Sequence, residues 1–132
     1  MKNHYTRIIR PFDITLKLFT TEKAFHSWLK RCNLPAHEIK NTADATTVSY
    51  SKKDKLQIFV VMCREQWEKI PTTTCLSGLV FHESIHVWQE CLSFIGETSP
   101  GDELEAYHIQ DIGQWIMRGL LYDLDLDKEQ NK

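Results

Sequence analysis

The chain has 132 residues, a length that fits one domain with a single modest core. Hydrophobic residues are 42% and charged residues 26%, a globular mixture that argues against a disordered chain. The net charge of −2, with both signs interspersed, lacks the concentrated basic face of a nucleic-acid binder, and no stretch approaches a membrane span. The first residues, Met1 to Arg7, lack the apolar run of a signal peptide, and Cys32, Cys63, Cys75 and Cys91 form no CxxC pair. Reduced, buried thiols and a cytoplasmic location are therefore expected.

Ile14 to Phe19 alternates apolar and polar residues and predicts a strand. Thr20 and Thr21 offer an N-cap to a helix with Ala24, Phe25, Trp28 and Leu29 on one face, stopped at Asn33-Leu34-Pro35. A polar loop leads to Thr46–Tyr50, rich in β-formers. The charged run Ser51 to Lys55 reads as a hairpin tip turning at Lys52 to Asp54. Leu56–Met62 is the clearest strand, because its β-branched run suits burial on both faces.

An irregular segment passes through Trp67 and Pro71. Thr72 to Thr74 then supply capping hydroxyls for a long helix striped with Leu76, Leu79, Val80, Ile85, Trp88, Cys91, Leu92 and Ile95. Gly96 ends it. Ser99-Pro100 restarts a helix to about Asp123, with Leu104, Ile109, Ile112, Ile116 and Leu120 as core positions. A charged tail at about 125–132 is expected to fray. The order strand, helix, two strands, helix, helix predicts a single α+β domain over residues 1–132. Its small antiparallel or mixed sheet, of about three strands, packs on the two long helices.

The second of the three helices carries His82-Glu83-Ser84-Ile85-His86, an HExxH motif. Residues four apart stand one turn above another, so both imidazoles reach one ion. Zinc takes neutral nitrogen at about 2.0–2.1 Å and keeps a position for water in catalytic sites. Glu83, beside the first histidine, is placed to act as general base toward that water. Two histidines leave a third ligand to be found. The short turn at Gly96 favours an antiparallel return, which would bring the first turns of the last helix, with Glu103 and Glu105, toward the histidines. These two glutamates point to nearly opposite faces, so only one of them faces the ion.

HExxH, a short break, and a helix opening with Glu-x-x-Ala resemble the gluzincin clan of zinc peptidases, most of all its short phage-encoded and mobile-element members. The resemblance runs from Leu76 to about Met117; the N-terminal half matches in element order only. It implies a minimal zincin-like fold, Zn2+ held by His82, His86 and Glu103, and Glu83 as general base. It implies a metallopeptidase acting on a peptide or protein, and the charge pattern and lack of a long apolar run predict no nucleic acid and no membrane partner. Glu103 is favoured over Glu105 because it stands three residues before Ala106. Where many relatives have Asp or Asn after the small residue, this chain has Tyr107, whose hydroxyl either serves a substrate oxyanion or bonds a backbone carbonyl. His108 lacks the glycine and spacing of a metzincin ligand and reads as a helix-surface residue. The competing expectation is a binding or regulatory protein of phage or prophage origin that keeps the scaffold with little or no hydrolysis.

Overall fold

A hairpin opens the chain in the computed structural model, which describes residues 4–39 and 44–130, with side chains to 124. β1 (His4–Ile9) pairs antiparallel with β2 (Ile14–Phe19), from His4 opposite Phe19 to Ile9 opposite Ile14. Asp13 takes the left-handed turn position at φ 54°, a conformation aspartate tolerates. α1 (Glu22–Arg31) follows, with the Thr21 hydroxyl accepting from the Ala24 amide at 3.2 Å. The polar loop expected next falls partly at 40–43, outside the described residues.

β3 (Thr46–Lys52) and β4 (Lys55–Val61) form a second hairpin. Its turn residues, Lys53 and Asp54, both have positive φ (50° and 62°), the twist that a two-residue hairpin turn requires. β4 inserts parallel to β2, so the sheet order is β1-β2-β4-β3 and β3 is an edge strand. The period of two then sorts the side chains. Leu16, Leu18, Ile58 and Val60 build the larger core under the C-terminal helices, while Phe19, Phe59 and Val61 meet Phe25 and Leu29 of α1 on the other face. The expected two-sided burial of this strand is observed.

A short helix, α2 (Arg64–Trp67), buries Trp67. In α3 (Thr73–Ile95) the Thr72 hydroxyl accepts from the Cys75 amide at 3.1 Å. Gly96 caps the far end at φ 74°, with the Glu97 amide reaching the Leu92 carbonyl at 3.0 Å. α4 (Asp102–Gln130) returns antiparallel: Glu105 and His108 lie against Trp88, and Gly113 lies against Phe81 and Ser84.

The mixed α+β architecture matches expectation, but the sheet has four strands where the sequence predicts about three. β1 is the addition, an edge strand whose residues are mostly half-exposed and show no clean apolar alternation. α4 starts at Asp102, close to the predicted start at about Pro100, and the Glu105 amide bonds the Gly101 carbonyl at 3.0 Å. Its backbone runs on to Gln130, through most of the segment expected to fray; 131–132 lie outside the described residues. Three predicted core positions, Ile85, Ile95 and Leu104, are exposed, because α3 and α4 turn those faces to solvent. No described helix is long and apolar enough to cross a membrane.

α3 and α4 divide the sheet between them. α4 lies over β1 and β2: Arg7 grips Asp111 with two bonds of 2.7 and 2.8 Å, Thr20 donates to the buried Asp123 at 3.1 Å, and Gly119 stands against Leu18 and Tyr5. α3 lies beside β3, where Thr47 donates to Glu83 and Ser49 donates to Glu90 at 2.8 Å. α4 and β3 therefore flank α3 from opposite sides.

Candidate metal centre

The HExxH residues fall in the middle of α3, where helix geometry is fixed by neighbours on both ends. His82 and His86 stand one turn apart with their Nε2 atoms 3.0 Å from each other and their rings 4.6 Å apart. Two nitrogens at zinc distance around a tetrahedral ion would lie roughly 3.4 Å apart. The imidazole pair is within a few tenths of an ångström of that separation. His86 Nδ1 lies 3.2 Å from Oε1 of Gln89, an oxygen that only accepts. In the tautomer protonated at Nδ1, His86 donates to this oxygen and keeps its Nε2 lone pair for a ligand, the usual job of an outer partner of a metal-binding histidine.

Glu83 is 4% exposed, and its Oε2 accepts a hydrogen bond from the Thr47 hydroxyl. Residues 83 and 90 lie seven apart on α3 and so share a face, and residues 47 and 49 share a face of β3. The two hydroxyl–carboxylate bonds thus fasten the edge strand along the motif. A cleft of about 570 Å³ opens beside them, lined among others by Asp44, Cys75, Leu79, His82 and Glu83.

The α4 residues are not part of this grouping. One residue turns a helix by about 100°. The flank of α3 that meets α4 is centred between Ser84 and Trp88, which puts His82 and His86 roughly 140–180° around the helix from it. Glu103 is exposed, and the contacts of its neighbours place it level with the end of α3 beyond Trp88, toward Gly96. Glu105 accepts the Trp88 indole N–H at 2.9 Å. Tyr107 is 67% exposed and lines a separate cleft with Arg7, Arg10, His108 and Asp111. The structure therefore brings the exposed His82 and His86 together at their Nε2 atoms, has Glu83 share a cleft with His82, and leaves Glu103 and Tyr107 apart from them. Among the described residues no three His, Cys, Asp or Glu side chains form a ready metal-holding group. The spacing of the histidine pair suits zinc, and the third ligand expected from α4 does not reach it.

His108, expected on the surface, stacks on Trp88 at 4.7 Å and 14° and lies 5.6 Å from Phe12. The four cysteines are unpaired thiols. Burial pushes the Cys91 thiol up to about 12, which makes it inert, whereas Cys75 is exposed at the cleft. Sequence reasoning missed Thr47 and Gln89. Gln89 carried a signal, standing three residues after a motif histidine. Thr47 carried none, since only the docking of β3 brings it to α3. Comparison with protein families, with curated proteins and with solved structures gives no match to this chain.

Proposed function

We propose that this protein is a zinc-dependent peptidase with a minimal zincin-like fold, in which His82 and His86 hold the ion and Glu83 is the general base. The observation that carries the reading is the pair of Nε2 atoms, 3.0 Å apart, next to the buried Glu83 carboxylate on the edge-strand side of α3. A zinc ion there supplies Lewis acidity toward a carbonyl and toward water. Thr47 holds Glu83 through Oε2 and leaves Oε1 to take a proton from water. As the water oxygen bonds the carbonyl carbon and the C–N bond breaks, the same oxygen returns the proton to the leaving amine. The outer edge of β3 pairs with no described strand, and an extended peptide adds there by main-chain hydrogen bonds.

One observation favours the second reading, a binding or regulatory protein with little or no hydrolysis: α4 brings no third ligand to the histidines. Glu83→Gln separates the two. The amide is nearly isosteric, so zinc content by mass spectrometry and the circular dichroism spectrum should match wild type. Cleavage of a peptide library should fall by about 10²–10⁴-fold, the usual contribution of a general base. Zinc-loaded wild type that cleaves nothing in the library, or a Glu83→Gln variant that cleaves as well as wild type, refutes the peptidase reading.

A further inference from the structure

We infer that the cleft beside His82 is the subsite for one substrate side chain, and that it takes a lysine or an arginine; this rests on the peptidase reading above. A glycine keeps the cleft open. α3 and α4 hold three glycines, and packing accounts for two of them. A Cβ at Gly113 would stand 3.3 Å from the Ser84 hydroxyl, and one at Gly119 would stand 2.6 Å from Leu18. Gly78 has no such reason, because a Cβ there meets nothing within 4 Å, yet glycine inside a helix destabilises it relative to alanine. Gly78 stands four residues before His82, on the same face of α3, and lines the cleft with it. Side chains on a helix lean toward its N-terminus, so the His82 imidazole leans toward the space that Gly78 leaves.

The lining decides the chemistry. A peptide extended along the outer edge of β3 sends alternate side chains to the α3 side. One of them, from a residue next to the scissile bond, enters beside His82 and Glu83 and runs toward the start of α3. Ala45, Ile70, Pro71 and Leu79 give the cleft apolar walls, and Asp44 stands at its other end. Thr47 meets Glu83, and Asp44 lies three residues earlier, up to about 10 Å away at roughly 3.3 Å each. A lysine stem of five bonds, each about 1.5 Å and zigzagged, spans about 6 Å, and the aspartate side chain covers much of the rest. Asp44 is exposed, and among the described residues no cation pairs with it. No lysine or arginine is among the described residues lining the cleft. Apolar walls that end on an unpaired carboxylate suit a side chain with an aliphatic stem and a cationic head. A glutamate would be repelled there, and a leucine would leave Asp44 without a partner.

The test uses the zinc-loaded full chain in two readouts. Cleavage sites in a peptide library, read by mass spectrometry, should show lysine or arginine enriched beside the cut. Binding is followed by fluorescence anisotropy with labelled peptides of one sequence that differ at a single residue: lysine, norleucine (the lysine stem without its ammonium) or glutamate. Lysine should bind about 2–5-fold more tightly than norleucine, as an exposed ion pair does, and added salt should shrink the difference. Asp44→Asn should erase it, and Asp44→Lys should turn the preference toward glutamate. Gly78→Leu, which fills the cleft with a better helix former, should weaken the lysine peptide roughly tenfold or more and move cleavage toward glycine and alanine beside the cut. A lysine preference that survives Asp44→Lys, or a profile unchanged by Gly78→Leu with the circular dichroism of a folded chain, overturns the inference. Cleavage without discrimination among the side chains removes the subsite and leaves the peptidase reading. Lysine-selective binding that Asp44→Lys abolishes, with no cleavage by wild type, keeps the subsite and removes the peptidase reading. Neither binding nor cleavage removes both.

Discussion

Thr47→Val tests the join between the edge strand and the HExxH helix. Valine keeps the shape and the β-branching of threonine, so strand geometry should survive. What is lost is the hydroxyl that donates to Glu83, whose side chain is almost entirely buried. A hydrogen bond to a charged group contributes about 1.5–3 kcal/mol, and a buried acceptor left without its donor loses that much. At roughly 4 °C per kcal/mol for a domain of this size, the melting temperature should drop by about 6–12 °C. Thr47→Ser should restore most of it. The assay is thermal unfolding followed by circular dichroism, run as a double-mutant cycle with Glu83→Met, which removes the acceptor at similar side-chain length, so that losses unrelated to the pair cancel. A coupling energy near about 1.5 kcal/mol or above is expected. A coupling near zero, with both single variants folded, would mean that β3 is not fastened to α3 through this bond.

Two further outcomes follow from burial and charge. In the native protein, iodoacetamide should label exposed Cys75 and spare Cys91, whose thiol is held up at about 12 by burial; after denaturation without reductant, mass spectrometry should find all four cysteines labelled. Burial first, then the neighbouring Asp123 carboxylate, raises the Tyr5 hydroxyl to about 12 from an ordinary value of 10, so the unfolded chain loses this proton before the folded one. The stabilisation is thus complete below pH 10 and fades as the pH rises from 10 toward about 12. Denaturant midpoints measured across that window should fall more steeply in wild type than in Tyr5→Phe, and equal slopes would contradict the assignment.

Legibility in the sequence followed the range of the forces involved. β2 reads off its own alternation, and α3 reads off the Thr72 hydroxyl at one end and Gly96 at the other, because capping and period are local. The relation of His82, Glu83 and His86 is equally local, fixed by helix pitch. β1 escaped because an edge strand needs only one buried face, and Tyr5, Arg7 and Ile9 supply that face with an arginine in its middle. That arginine has a reason visible only in three dimensions: it reaches across to Asp111 on α4. The third ligand belongs to the same class of problem. A short return does make α4 antiparallel to α3, as expected, but the direction of a helix does not say on which flank it packs. Trp88, Ser84 and Gly113 decide that, and nothing in the spacing of Glu103 from His86 reports it.

Metal binding is too weak a force to move α4 round to the histidines. Carrying Glu103 or Glu105 there would strip α4 from β1 and β2. It would expose Ile112, Ile116 and Leu120, each of them buried, at about 1.5–3 kcal/mol apiece. It would also break the Arg7–Asp111 pair and leave Asp123 without Thr20. Against a loss on the order of 5–9 kcal/mol from the apolar residues alone, one additional carboxylate ligand that tightens an ion about 100-fold contributes only about 2.7 kcal/mol.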